Sequence, residues 1–187
     1  MKSKPSAILL AGGCSSRMGR SKAELDFHGV SLIQFQVDKF RALGIEDIVI
    51  AGYTTHVEGT RTVQDIYPRR GPLSGIQAGL LAVKNRSALV LAVDTPLIPE
   101  ALLRELIEAH QTGITLVFNH GEPEPLIGVY DRALAQDCAS ILSGDKTSVR
   151  KLLDRVRPTV VAYQGDPTLL LGCNTPEEYL KICDIGL

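Results

Sequence analysis

A chain of 187 residues, 44% hydrophobic and 22% charged, has the length and composition of one soluble domain with room for a sizeable core. Its net charge of −1 excludes a global electrostatic pull toward nucleic acid or an anionic membrane, so any phosphate must be held locally. No apolar run nears the ~20 residues that cross a bilayer. No cleavable apolar segment follows Met1, and the four cysteines (Cys14, Cys138, Cys173, Cys183) form no Cys-x-x-Cys pair. The expected setting is therefore the cytoplasm, with reduced thiols and neither a zinc site nor a disulfide framework.

In chain order, residues 7–11 are an apolar run that predicts a strand buried on both faces. It empties into Gly12-Gly13, followed by three cations at Arg17, Arg20 and Lys22. A short hairpin or tight turn at 26–30 precedes a helix over 32–43, capped by Ser31 and closed by Gly44. Strands are expected at 47–51, closed by Gly52, and at 61–64, ending at Asp65. Gly71-Pro72-Leu73 forms a turn, and Ser74 is expected to cap a helix to about residue 84. That helix contains Gly75 and Gly79, whose missing side chains permit close approach to a ligand or a strand. Residues 87–93 are the most apolar strand and end in Asp94-Thr95-Pro96, and a helix follows from Pro99-Glu100 to about His110.

Strands alternating with helices over short connections predict right-handed crossovers and a parallel sheet. After Gly113 the pattern changes to strands at 114–118 and 126–130 around a polar, proline-bearing link at 119–125. Helices at 132–142 and 147–155, strands at 159–163 and 169–171, and a last helix opened by Thr175 and Pro176 complete the chain. The expectation is one α/β domain over 1–187, its mostly parallel central sheet flanked by helices and carrying an antiparallel element in the back half. Residues 1–112 read as a nucleotide-binding half and 113–187 as a second-substrate half.

Ligands of open parallel sheets sit beyond the carboxyl ends of the strands. Collected there are Gly12, Gly13 and the cations after the first strand, Asp65 after the third and Asp94 after the fourth. Glycines let backbone N–H groups approach an anion, and Arg and Lys supply counter-charge. Neither the Walker spacing nor Gly-x-Gly-x-x-Gly is present. Asp94, directly behind an apolar strand, suits Mg2+, which takes one or two carboxylates together with substrate phosphates and water. His28, His56, His110 and His120 share no spacing and are read as neither ligands nor bases.

Leu10-Ala11-Gly12-Gly13 with Arg17-Met18-Gly19 and Lys22 resembles the signature of sugar-phosphate and cofactor nucleotidyltransferases. With Gly71-Pro72-Leu73-Ser74-Gly75, Asp94-Thr95-Pro96, Glu124-Pro125 and Asn174-Thr175-Pro176-Glu177-Glu178, the resemblance narrows to molybdenum cofactor guanylyltransferases and covers nearly the whole chain. It implies a Rossmann-like nucleotidyltransferase fold and transfer of GMP from GTP to molybdopterin, with release of pyrophosphate. It further implies backbone contacts to the nucleotide from Leu10, Ala11 and Gly12, and approach to the phosphates at Gly13. Arg17 and Lys22 would neutralise the triphosphate, Asp65 would lie near the guanosine, and Asp94 would hold Mg2+. Pro72 and Leu73, with Gly71, would wall the base, and Asn174 would lie near the metal and the second substrate.

The chain departs from the family where Ala51-Gly52 stands in place of an Asn and Val93 in place of a Cys. Rival readings are a molybdenum cofactor cytidylyltransferase, which typically carries Ala at the position of Gly12, and a sugar-phosphate nucleotidyltransferase. A third is a non-catalytic nucleotide-binding adaptor. The expected partners are GTP and molybdopterin, with a molybdoenzyme or a cofactor-delivery protein receiving the product.

Overall fold

The computed structural model describes residues 4–12 and 21–185. Gly13, Arg17 and Arg20 of the expected phosphate loop lie outside them. The first strand, β1 (Ser6–Leu10), is buried at every position. A short 3-10 turn at Lys22–Glu24 leads to a hairpin of β2 (Asp26–Phe27) and β3 (Val30–Ser31). Helix α1 (Leu32–Ala42) starts where expected, with Ser31 Oγ accepting the Gln34 N–H at 3.3 Å. There follow β4 (Ile48–Ala51), β5 (Thr60–Val63), α2 (Pro72–Ala82), β6 (Ser87–Ala92) and α3 (Glu100–Ala109). The back half holds β7 (Ile114–Asn119), β8 (Glu122–Asp131), α4 (Ala135–Leu142), α5 (Val149–Arg155), β9 (Thr159–Ala162) and α6 (Pro176–Asp184).

Seven strands form one sheet in the order β5-β4-β1-β6-β8-β7-β9. The first four are mutually parallel, and β8 runs antiparallel to both of its neighbours. Ala7 and Leu9 face a core shared with α1, α3 and α6, whereas Ile8 and Leu10 face one shared with α2, α4 and α5. A strand between two helical layers must be apolar on both sides, which is why β1 reads as a continuous run. The chain leaves β1 toward β4 and β5 and returns to its other side with β6, so strand order reverses at β1. That reversal opens a crevice at the carboxyl ends. No helix of the described residues is long and apolar enough to cross a membrane.

Four elements differ from expectation. Helix α2 begins earlier, with Gly71 at the N-cap (φ 75°) and Pro72 in its first turn. Proline's fixed φ and missing N–H suit that position, so Ser74 is carried inside the helix, where its Oγ donates to the Tyr67 carbonyl at 2.7 Å. The 119–125 link is mostly strand, turning only at His120-Gly121 and running on through Pro123 and Pro125. β6 pairs only residues 127–131 of β8, and the β7 register shifts between Leu116 and Val117. The prolines therefore meet a bulged ladder with one side unpaired, where a missing donor is tolerated. Pro167–Leu170 is a 3-10 turn capped by Asp166 where part of a strand was expected. The helix expected at 132–142 divides into a 3-10 turn at Arg132–Leu134 and α4.

The glycines of α2 have a packing reason. A Cβ on Gly79 would lie 2.6 Å from Ile8 Cγ2, and one on Gly75 would lie 3.0 Å from Leu10 Cδ2. Their absence lets α2 rest directly on β1.

Candidate active site

At the reversal point the ends of β1 and β4 close on each other. Ala11 and Gly12 donate their N–H groups to the Ala51 carbonyl at 3.0 and 3.1 Å. Gly52 (φ 80°) abuts Gly12, and a Cβ on Gly52 would lie 2.7 Å from the Gly12 Cα, so a side chain cannot stand there. The N–H groups of Ala11 and Gly12 are thus engaged by the protein's own backbone. The Leu10 carbonyl is taken by the Val93 N–H at 3.0 Å.

Three segments distant in sequence meet beyond β6. Lys22 Nζ donates to Asp94 Oδ2 at 2.6 Å and to Asn174 Oδ1 at 2.8 Å. The Lys22 and Asp94 side chains are each 19% exposed, a part-buried pair in the wall of the cleft. The Asp94 carbonyl accepts the Cys173 N–H at 2.9 Å. Gly172 packs against the carboxyl group itself, and a Cβ there would come within 3.3 Å of it. Asn174 is held by α6, because its N–H donates at 2.7 Å to Glu178, the residue that completes the capping box with Thr175. The cap signature at the last helix therefore places an amide oxygen in the cleft.

Asp65 follows β5 on the other side of the crevice. Its Oδ1 is buried with no hydrogen-bond partner among the described residues, and burial raises its carboxyl above the usual range. An acceptor left in this state costs free energy that a donor on a ligand would recover.

These groups line one cavity of about 760 Å³. Of the residues expected at the site, Leu10, Ala11, Gly12, Lys22, Asp65, Pro72 and Asp94 are on its wall, and Asn174 joins them. Leu73 is a correction. Its side chain is completely buried in the core beneath α2, on one stripe with Ile76 and Leu80, and does not reach the cavity. Gly13 and Arg17 lie outside the described residues.

Sequence reasoning did not single out Arg69 or Leu126, which also face the cavity; Gly75, whose missing side chain was read as permitting approach to a ligand or a strand, lines it as well. Arg69 takes a left-handed backbone (φ 61°), while its neighbour Arg70 donates to the Gly144 carbonyl at 2.8 Å. The tandem arginines before Gly71 were the available signal. Leu126 arrives through the bulged part of β8, which local sequence does not reveal.

The donors beyond β6 suit a hard cation. Asp94 and Asn174 offer oxygens, and among the described residues no three His, Cys, Asp or Glu side chains converge as a cage. One carboxylate and an amide oxygen, completed by phosphate oxygens and water, match the habit of Mg2+.

Residues 7–160 match the family model described as the MobA-like NTP transferase domain. The chain is 30% identical over 185 residues to a probable molybdenum cofactor guanylyltransferase of Carboxydothermus hydrogenoformans, covering 95% of this chain and 94% of that one. It is 33% identical over 198 residues to a molybdenum cofactor guanylyltransferase of Rhizobium meliloti, covering 93% and 88%. In fold it is similar to molybdopterin-guanine dinucleotide biosynthesis protein A from Archaeoglobus fulgidus, with TM-score 0.80 at 20% identity over 96% and 97% of the two chains. Rv0371c from Mycobacterium tuberculosis, crystallised in complex with manganese, superposes with TM-score 0.75 at 19% identity over 98% of this chain and 100% of that one.

Proposed function

The chain belongs to the family of MobA-like NTP transferase domains and is a nucleotidyltransferase, and on that premise we propose that it transfers GMP from GTP to molybdopterin with release of pyrophosphate. The observation that carries this reading is the Lys22–Asp94–Asn174 cluster at the strand-order reversal.

The sheet sets the scale of the ligand. Asp65 follows β5 and Asp94 follows β6, and β4 and β1 lie between them. Three strand spacings are about 14 Å, enough to separate a base from its reacting phosphate. The base and ribose would then lie toward Asp65 and Pro72. There the Asp65 carboxylate and the carbonyls of Ala11 and Gly12 would accept from guanine or ribose donors. The phosphates would lie toward Lys22 and Asp94. Residues 1–112 would hold the nucleotide, and 113–187 would guide the second substrate, which approaches past Leu126 and Asn174.

In the reaction an oxygen of the terminal phosphate of molybdopterin bonds to the α-phosphorus of GTP, and the bond from that phosphorus to the bridging oxygen of pyrophosphate breaks. The nucleophile is already an anion, so no strong general base is required. Lys22 would neutralise phosphate charge as a compact cation, the part the family resemblance also gives Arg17. Its present bonds to Asp94 and Asn174 hold it at that position. Asp94 and Asn174 would hold Mg2+, which when bound supplies charge stabilisation to the phosphoryl oxygens. Positioning and electrostatics then account for catalysis. A molybdoenzyme or a delivery protein would receive the product.

The test is pyrophosphate release with molybdopterin and Mg2+, offering GTP, CTP, ATP and UTP in parallel. Release with GTP is expected. Preference for CTP would overturn the base assignment, and binding of GTP without any release would overturn the transferase reading.

A further inference from the structure

The turn that carries Asp94 is held from beneath by α1. Gln36 is fully buried, and its amide nitrogen donates to the carbonyls of Ala92 at 3.1 Å and Thr95 at 3.0 Å. Three residues along the same helix, Lys39 is 8% exposed, and its Nζ donates to the carbonyls of Pro96 and of Ile98, the latter at 2.9 Å. Four carbonyls between residues 92 and 98 therefore end on two side chains of one helix.

The turn has few donors of its own. β6 ends at Ala92, whose carbonyl also receives the Thr95 hydroxyl at 2.9 Å. Pro96 and Pro99 have no N–H to offer.

This arrangement is costly for a helix whose other buried positions are Leu32, Ile33, Val37 and Phe40. Burial pulls the Lys39 ammonium down to about 8, with Glu100 acting in the opposite sense. The second amide atom of Gln36, Oε1, is buried with no partner among the described residues. Apolar side chains at both positions would complete the stripe without these penalties. What the polar pair achieves is a fixed backbone on both sides of Asp94, two residues before it and one residue after.

We propose that Gln36, supported by Lys39, is a positioning residue for the transfer reaction: it fixes the Asp94 carboxylate relative to Lys22, the metal and the α-phosphate. The inference rests on the assignment of Asp94 to the metal and phosphate end of the cleft. A shift of about 1 Å in a reacting group is enough to lower a rate ~10²-fold, so a buried clamp on the turn acts on catalysis without touching substrate.

The test compares wild type with Gln36→Met, of similar length but lacking the donor, and Gln36→Glu, which keeps the shape if the first variant fails to fold. Urea unfolding establishes that each is folded. Steady-state kinetics should show kcat lowered about 10- to 100-fold with KM for GTP within about threefold, the signature of a misplaced group rather than lost binding. Mn2+ titration in the presence of GTP should show affinity weakened about tenfold, while GTP binding without metal stays unchanged. In an Asp94→Ala background, Gln36→Met should weaken Mn2+ no further, because the two act through one carboxylate.

The metal titration does not depend on turnover. It reads the clamp even if wild type transfers no GMP, which separates failure of this proposal from failure of the functional reading. A folded variant with wild-type kcat and Mn2+ affinity would overturn the proposal. So would a loss carried entirely by KM for GTP, or additive loss of Mn2+ affinity with Asp94→Ala.

Discussion

Two carboxylates at one end of the sheet and two at the other are treated in opposite ways. At the amino ends of the parallel strands, Asp47 accepts from Ser6 Oγ at 2.6 Å, from the Lys84 N–H at 2.8 Å and from the Arg61 guanidinium. Asp131 accepts from the Gly113 N–H at 2.7 Å and from Thr112 Oγ1 at 3.0 Å, with His110 Nε2 at 3.3 Å. Burial acts to raise both carboxyls, but their hydrogen bonds together outweigh it and hold them below the ordinary value. At the carboxyl ends, Asp65 has a buried oxygen without a partner among the described residues and is raised, and Asp94 shares a part-buried pair with Lys22. A second cavity of about 500 Å³ opens beside Asp131, yet the carboxylate there has both oxygens engaged by the protein. Carboxylates bonded on all sides hold the fold together. Those left partly bonded at a reversal of strand order are placed for a ligand.

The largest effect that could break this contrast is at Asp94. Asp94→Ala should lower pyrophosphate release ~10²-fold or more, the scale for losing one electrostatic stabiliser. Stability should change by less than for Asp131→Ala, because Lys22 keeps its bond to Asn174 and Asp94 accepts no backbone N–H among the described residues. Paired turnover and urea-unfolding measurements decide it. A variant that unfolds would move Asp94 to the structural group.

Asp131→Ala should do the reverse. Removing the carboxylate takes the acceptor of the Gly113 N–H and the Thr112 hydroxyl, at a cost of about 2–3 kcal/mol at pH 7, while kcat stays at wild type. The folded pKa lies below the ordinary 3.8, so the contribution is present above that pH and lost as pH falls through the folded value. Unfolding curves of wild type and variant should therefore be well separated at pH 7 and converge in acid. A gap that persists below the carboxylate range would show that cavity formation, not the ionised carboxylate, sets the cost.

How much of this was legible before folding can be judged from particular residues. β1 and β6 were readable because a strand between two helical layers leaves a continuous apolar run, and Asp94 was readable because it terminates one. The Leu73 stripe with Ile76 and Leu80 was also present in the spacing, and the helical period should have turned that residue inward. Gln36 and Lys39 fall at helical spacing on the apolar face of α1, so their anomaly was visible. Their partners lie 56 to 59 residues away, and no local pattern names them. The path of β8 through Pro123 and Pro125 was hidden for a related reason, since tolerance of proline depends on which neighbour is missing. Asp47 and Asp65 show the limit most clearly. Both flank short strands, and only the three-dimensional donors around them decide which is satisfied.

Asp65 gives the smallest effect and the finest discrimination. Asp65→Asn retains an oxygen in the same position but removes the charge, so the loss expected in GTP affinity is the charge-assisted increment, roughly tenfold. Stability should move the other way from Asp131→Ala. Because burial raises the folded pKa above 3.8, ionisation is penalised at neutral pH and the penalty disappears in acid. Asp65→Asn should thus be as stable as wild type below pH ~4 and more stable at pH 7, by under about 1 kcal/mol for a group with partial access to solvent. Isothermal titration with GTP and unfolding at the two pH values measure both arms. Opposite signs of the pH-dependent stability difference at Asp65 and Asp131 would express the contrast between the two ends of the sheet in one experiment. A loss of stability at pH 7 for Asp65→Asn would mean that its buried oxygen has a partner in solution, and Asp65 would then belong with the carboxylates that hold the fold.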